Sequence, residues 1–376
     1  MAAVANALVI GAGLAGTAAA IHLAQGGVSV DLVDIRTDVG ALGSGITLQG
    51  NALRELRDLG VWDQVRAAGY PFDVTGIRAP DPAATVVAEV TDAKTGGPDL
   101  PAAMGMLRPD LARILADRAA QVGVRLRLGT RAVGLDQDDT GVHARFADGR
   151  VNRYDLIIGA DGVRSWTRHH LGVDLETARV GMGIWRIHGP RPASVTRTDL
   201  IYGGPSYIAG YCPTGADSLY AYIVEPAQDR SELSPEEQLA TMRQLAEAYH
   251  GPWDEIRDAM TDPGRVNYTW FETHLLDRPW NRGRVVLIGD AAHTCPPTIA
   301  QGGAMALEDA AVLAELLVGP GPLDQALWDT FQDRRYARVK TIVDASNQIA
   351  QWQIDHVQGD LPGLMRSVAM LTSQPA

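Results

Sequence analysis

An α/β fold of two lobes, closed by C-terminal helices, is predicted by three features of this sequence. The opening segment to Asp34 reads strand, glycine turn, helix, strand. The segment 179–271 changes to aromatic-rich strand runs around one helical stretch. From Gly303 onward the apolar spacing is helical.

The elements follow in order. Ala7–Ile10 is a short apolar run, Leu14–Gln25 has helical character and Val28–Val33 resumes a strand. Asn51–Leu59 and Leu111–Ala120 carry amphipathic helical spacing, the second opened by Pro109 and Asp110. Strand runs then appear at Val124–Leu128, Ala132–Leu135, Val142–Phe146 and Arg150–Ile158, with Asp148-Gly149 as a hairpin turn. Asp81–Pro98, rich in Pro, Gly, Asp and Thr, is expected to loop over the surface. In the second lobe, Gly181–His188, Leu200–Tyr202, Tyr207–Cys212 and Ser218–Val224 read as strands of a mainly antiparallel sheet, and Pro235–Tyr249 as a helix. Arg284–Ile288 is a short strand before a Gly/Pro loop, and helices follow at Gly303–Leu317 and from Leu323 to Gln353. The expected organisation is a discontinuous Rossmann-type domain (1–178 and 272–320, with a small β insertion), a substrate-binding sheet lobe (179–271) and C-terminal helices (321–376).

Composition narrows the function. The 376 residues are 46% hydrophobic and 21% charged, enough for a sizeable core. A net charge of -12 argues against a nucleic-acid partner, since phosphate binding needs concentrated positive charge. Two cysteines, Cys212 and Cys295, make neither a disulfide framework nor a cysteine-rich metal site, and a reducing, cytoplasmic compartment is expected. The apolar stretch Ala2–Gln25 has no Lys or Arg before it and is interrupted by Gly11, Gly13 and Gly16, so it is not read as a leader. No segment offers the ~20 uninterrupted apolar residues of a membrane span, and no integral membrane association is expected.

The first chemical motif is Gly11-Ala12-Gly13-Leu14-Ala15-Gly16, placed between a strand and a helix. Its glycines let backbone N–H groups approach a pyrophosphate at the helix's positive end. Asp34, at the end of the second strand, stands where a carboxylate receives ribose hydroxyls. This fingerprint fits a dinucleotide without separating NAD from FAD. Asp290 ends a second apolar strand, where ligands gather in α/β folds. Gly302-Gly303 opens a helix whose N–H groups and dipole favour negative charge.

Two later segments carry a resemblance. Asp155-Leu156-Ile157-Ile158-Gly159-Ala160-Asp161-Gly162, continuing to Ser165 and Arg168, resembles the DG motif of the single-component (group A) FAD-dependent aromatic hydroxylases, the para-hydroxybenzoate hydroxylase-like flavoproteins. Gly289-Asp290-Ala291-Ala292-His293, followed by Pro296 and Pro297, resembles their GD motif. Gly43-Ser44-Gly45-Ile46 is similar to the family's small-residue loop near the flavin, Arg108 to an arginine that touches FAD, and Trp185-Arg186 to a Trp-Arg pair on a sheet strand.

The resemblance, from Leu8 to Leu317, implies an NAD(P)H- and O2-dependent FAD monooxygenase. It would hydroxylate a small electron-rich aromatic or N-heteroaromatic compound through a flavin hydroperoxide. Non-covalent FAD would be held by Gly11, Gly13, Leu14, Ala15, Gly16, Asp34, Ile35, Arg36, Gly45, Arg108, Val133, Asp161, Gly289, Asp290, Gly302, Gly303 and Ala304. Pro297 and the N–H groups of Gly303 and Ala304 would serve the reaction at the flavin; Thr47, Trp185, Tyr207, Tyr211, Tyr220, Tyr222 and Pro296 would face the substrate. NAD(P)H would bind transiently, without a domain of its own, and a monomer or homodimer is expected. No thioredoxin-like domain of the larger phenol hydroxylases is expected after Ala376.

Several residues allow a plainer reading. Tyr220 and Tyr222, two apart on a strand, share a face that either floors a pocket or packs a core. His293 is either a catalytic base or a structural partner of nearby backbone, and Arg36 either steers the adenine end or is exposed. Cys295 shows no activating neighbour. Glu308 and Asp309 are expected to face solvent or support their helix. Ile299, where many relatives have glycine, would narrow the space beside the flavin. The competing functions are a flavin oxidase or reductase of the same superfamily and a non-catalytic flavin-binding protein. A flavin halogenase fits poorly, because Lys94 lies in a loop and the tryptophan motif is incomplete at Gly183-Ile184-Trp185.

Overall fold

The protein is described by a computed structural model covering residues 3–40 and 44–376. The chain opens with β1 (Asn6–Ile10), α1 (Leu14–Gln25), β2 (Ser29–Val33), β3 (Gly45–Gln49), α2 (Gly50–Asp58) and α3 (Trp62–Ala68). Short strands follow: β4 (Tyr70–Phe72), β5 (Val74–Arg78), β6 (Val86–Thr91) and β7 (Ala103–Leu107). Helix α4 (Arg108–Gln121) leads into β8 (Arg125–Arg127), β9 (Ala132–Asp138), β10 (Gly141–Phe146), β11 (Val151–Tyr154), β12 (Leu156–Gly159) and α5 (Trp166–His170). The second lobe comprises β13 (Ala178–Pro190), β14 (Thr198–Tyr202), β15 (Ile208–Pro213), β16 (Ser218–Pro226), α6 (Pro235–Ala246), α7 (Pro252–Asp258) and β17 (Val266–Leu275). The chain ends with β18 (Asn281–Arg282), β19 (Val285–Leu287), β20 (His293–Thr294), α8 (Gly302–Val318), α9 (Gln325–Ile354) and α10 (Leu361–Ser373).

The first lobe is built on a six-stranded sheet ordered β18-β19-β12-β1-β2-β8, parallel from β19 to β8. Alternation along β1 divides its side chains between two layers. Ala7 and Val9 join the large core beneath α1 and α8, whereas Leu8 and Ile10 meet the three-stranded sheet β11-β10-β9 on the other face. The chain leaves β1 toward β2 on one side while β12 lies on the other, so β1 and β12 form the switch point where ligands bind in such sheets.

The second lobe is an eight-stranded sheet, β20-β17-β13-β16-β15-β14-β5-β6. Its back face is covered by α6 and α7, where Tyr249 and Trp253 pack with Trp185 and Tyr211. Its front face turns toward β3 and α9.

Three expectations need correction. Arg150–Ile158 is two strands in two different sheets, β11 and β12, broken at Asp155. The Asp155 carboxylate accepts the N–H groups of Ala5 (2.7 Å) and Asn6 (3.0 Å), which redirects the chain into the parallel sheet. The expected surface loop Asp81–Pro98 contains β6, an edge strand whose side chains are all exposed and whose backbone pairs with β5; composition registers the exposure and misses the pairing. The sheet lobe thereby draws β5, β6 and β20 from outside 179–271. Among the described residues, no helix is long and apolar enough to cross a membrane.

Candidate active-site cleft

At the switch point, the glycines divide by what surrounds them. A Cβ on Gly11 would collide with the Ala160 carbonyl at the end of β12, and one on Gly16 with the Gly11 carbonyl. These two glycines permit close packing of turn, helix and strand. A Cβ on Gly13 would meet nothing within 4 Å, so the turn faces open space there. The N–H groups of Leu14, Ala15 and Gly16 begin α1 and have no acceptor among the described residues, and the first turn holds no acidic residue. Asp34 accepts the Ala12 N–H (2.8 Å) and pairs with Arg36 (2.9 Å). Burial raises its carboxyl, but the hydrogen bonds from Arg36 and Ala12 outweigh this and hold it below the usual carboxylate value. Arg36 is therefore tied to Asp34 while still partly open; Ile35 and Val133 are exposed.

A second helix start faces the same space. Gly289 adopts φ 58 against Ala15 and Ala306, and this turn presents Asp290. Asp290 is accessible to water yet enclosed by protein, as is Arg108 at the start of α4. Such groups line a deep cleft. Burial raises the Asp290 carboxyl against the opposing charges of His293 and Arg108. Burial also lowers Arg108, and the neighbouring Arg186 guanidinium lowers it further. Helix α8 begins at Gly302 with no acid in its first turn; a Cβ on Gly302 would meet nothing within 4 Å, and Gly303 faces Leu14 and Ile46. The N–H groups of Gly302, Gly303 and Ala304 find no acceptor among the described residues. Pro297 is exposed beside this start, while Pro296 is buried. Two unneutralised helix starts, two open glycines and an enclosed aspartate suit the pyrophosphate, ribityl chain and flavin of FAD.

The front of the sheet lobe supplies the opposite wall. Tyr220 lies against Gly45 of β3, where any Cβ would collide with it. The Tyr222 ring crosses Gly210 and stands 5.3 Å from that of Tyr220. Burial raises the Tyr222 hydroxyl well above the ordinary tyrosine value, with Tyr220, Cys212 and Tyr202 adding to it. Arg186, paired across the strands with Tyr222, donates to the Thr269 hydroxyl and forms no ion pair among the described residues. Thr47 reaches Cys212 (3.7 Å), and Tyr207 lies farther out, its ring 5.9 Å from His356.

Other expected site residues lie elsewhere. Trp185 and Tyr211 are fully buried on the back face; Trp185 donates to Glu225 (2.9 Å) and Tyr211 to Asp199 (2.8 Å). Adjacent strand positions point to opposite faces, so Arg186 takes the front that Trp185 was expected to share. Asp161 accepts the Thr167 N–H (2.8 Å) and the Ser165 and Thr167 hydroxyls, so its oxygens organise the start of α5. Ile299 is buried in the main core and does not fill the cleft. Gly43 lies outside the described residues. Burial raises the Cys295 thiol to about 11, so little of it is thiolate at pH 7.

Sequence reasoning missed what stands behind the cleft. Glu308 and Asp309 do not face solvent: both are 0% exposed. Asp309 accepts the Gly289 N–H (2.9 Å) and His293 Nε2 (2.7 Å), so His293 has a carboxylate partner rather than a backbone one. Arg335 bonds Asp309 (2.8 Å) and Glu308 (2.9 Å), and Arg338 grips Glu308 at 2.7 and 2.8 Å. Glu308 also accepts from Asn51 (3.0 Å), whose amide is locked to Gln301. Burial and the Glu308 charge raise nearby Glu55 to about 6. His274 bonds the Asp290 carbonyl (3.1 Å); burial, then Arg168 and His293, lower it to about 4, so it is neutral at pH 7. Arg168 joins the two later motifs by donating to the Ala291 (2.9 Å) and Val163 (2.8 Å) carbonyls.

Comparison with known proteins agrees with this construction. Residues 4–346 match the FAD binding domain family. The chain is 29% identical over 359 residues to a 2-heptyl-3-hydroxy-4(1H)-quinolone synthase of Pseudomonas aeruginosa, covering 92% of this chain and 90% of that one. It is 28% identical over 354 residues to a 6-hydroxynicotinate 3-monooxygenase of Bordetella bronchiseptica, covering 90% of each. The crystal structure of a 2-methyl-3-hydroxypyridine-5-carboxylic acid oxygenase variant superposes with a TM-score of 0.81 at 26% identity, over 97% of this chain and 96% of the other.

Proposed function

Because the chain belongs to the FAD binding domain family and is an FAD-dependent monooxygenase, we propose that it hydroxylates a small, electron-rich aromatic or N-heteroaromatic ring with NAD(P)H as transient reductant. That class is supported by the compounds the relatives' names carry: hydroxynicotinate and a hydroxypyridine carboxylic acid as substrates, and a hydroxyquinolone as a product. The observation that carries the proposal is the opposition of two walls across one cleft. On one side stand the starts of α1 and α8 with Asp290. On the other stand Tyr220, Tyr222 and Arg186.

In this reading FAD, when bound, supplies the redox chemistry that activates O2. Gly13 and the N–H groups of Leu14, Ala15 and Gly16 would hold the pyrophosphate, Asp34 with Arg36 the adenosine end, and Asp290 the ribityl hydroxyls. The N–H groups of Gly303 and Ala304, near Pro297, would favour negative charge at the redox-active end of the cofactor. Tyr220 and Tyr222 stack and orient the substrate ring, and their hydroxyls, which have no partner among the described residues, are free to bond its heteroatoms. Arg108 and Arg186 favour an acidic group or an ionised ring oxygen on the substrate.

The test is NAD(P)H oxidation by the FAD-loaded protein against phenols, aminobenzoates, hydroxypyridines and quinolones, with product mass recorded. A compound that accelerates oxidation and gains one oxygen atom is expected. Failure of the protein to retain FAD, or acceleration giving only peroxide throughout the panel, counts against the proposal.

A further inference from the structure

We infer that Arg335 and Arg338 of α9, acting through Asp309 and Glu308, are positioning residues for the cofactor side of the cleft; the inference rests on the flavoenzyme reading above. The two carboxylates are adjacent on α8 and fully buried, a costly arrangement unless each is paired. Both partners come from α9, and all four groups lie away from the cleft. Several of their remaining bonds lead to the elements that line it. The Asp309 carboxylate holds the Gly289 N–H, one residue before Asp290. Glu308 holds Asn51, which fixes Gln301, the residue before Gly302. Arg335 also donates to the Met305 carbonyl (3.2 Å) in the first turn of α8. One buried network thus sets the orientation of both cofactor-facing elements.

The network extends to the C-terminal segment. Arg338 donates to the Leu371 (2.7 Å) and Gln374 (2.9 Å) carbonyls at the end of α10, the negative end of that helix. Arg54, 3.8 Å from Glu308, reaches the same Gln374 carbonyl. Helices α9 and α10 therefore do more than cover the flavin lobe: they fix the cleft from behind. A network whose members are all satisfied is rigid, which is what a site that must hold Asp290 and the α8 start in register requires.

The test titrates apoprotein with FAD, following quenching of flavin fluorescence. The thermal midpoint of the apoprotein and the visible circular dichroism of bound flavin are read on the same samples. Asp309→Asn turns an acceptor of the Gly289, His293 and Arg335 donors into a partial donor and is expected to weaken FAD binding about tenfold, with altered dichroism. Arg338→Lys keeps the charge at the edge of the network but loses the fork on Glu308. It is expected to weaken FAD binding about threefold with a midpoint within a few degrees of wild type, and it carries the test should Asp309→Asn not fold. Unchanged affinity and dichroism in the folded variants, whatever their midpoints, would overturn the inference. Wild-type apoprotein that takes up no FAD would instead overturn the flavoenzyme reading with it.

Discussion

The two faces of the eight-stranded sheet use the same strands and the same kinds of aromatic side chain, yet the aromatic polar tips on those strands meet opposite fates. On the back, the Trp185 N–H is bonded to Glu225 and the Tyr211 hydroxyl to Asp199, and α6 and α7 seal both from water. On the front, Tyr220 and Tyr222 lie flat over Gly45 and Gly210, and their hydroxyls have no protein partner among the described residues. Buried polar groups in folded proteins are bonded almost without exception. A polar tip that is enclosed, accessible and unbonded is therefore one kept for a ligand, whereas a satisfied tip belongs to the fold. Counting aromatic residues on a strand does not separate the two; the partner of the polar atom does.

The comparison predicts that back-face substitutions act on stability and front-face ones on turnover. The largest effect is expected for Trp185→Ala. It empties a fully buried site and strips Glu225 of a donor, and should cost about 3–5 kcal/mol in urea unfolding. A loss below about 1 kcal/mol would break the assignment of Trp185 to the core. Next comes Tyr211→Phe. The ring stays packed against Trp253, but Asp199 keeps only Arg78 and Arg197 as side-chain donors. Loss of a hydrogen bond to a charged group should cost about 2 kcal/mol, and KM for any substrate should not move.

What the sequence made legible was local in the chain. The glycine turn, α1, β2 and Asp34 are fixed by spacing within one strand-helix-strand unit, and they fold as spaced. The Gly289-Asp290 turn and the start of α8 are equally local. The illegible parts depend on distant partners. Glu308 and Asp309 resemble a solvated helix face until Arg335 and Arg338, 26–30 residues later, neutralise them in the core. Trp185 and Tyr211 were displaced by strand parity, which a one-residue difference reverses. The small sheet β3-β7-β4, which places Thr47 opposite Cys212, pairs residues as far apart in the chain as Gly45 and Leu107.

The smallest effect on stability and the sharpest test of the comparison is Tyr222→Phe. Its hydroxyl has no partner to lose among the described residues, and burial already keeps it protonated. Folding stability should therefore stay within about 0.5 kcal/mol of wild type, in contrast to Tyr211→Phe. If the front-face hydroxyl is kept for the substrate, kcat/KM should fall about tenfold, the worth of one hydrogen bond to a bound ring. The loss should be mainly in KM, because an orienting bond is present in ground and transition states alike. FAD affinity should be unchanged, since Tyr222 stands on the wall opposite the helix starts. A Tyr222→Phe variant that loses stability as Tyr211→Phe does, with kcat/KM intact, would mean that the front-face tyrosines are core residues after all. The open polar tip would then no longer mark the substrate wall.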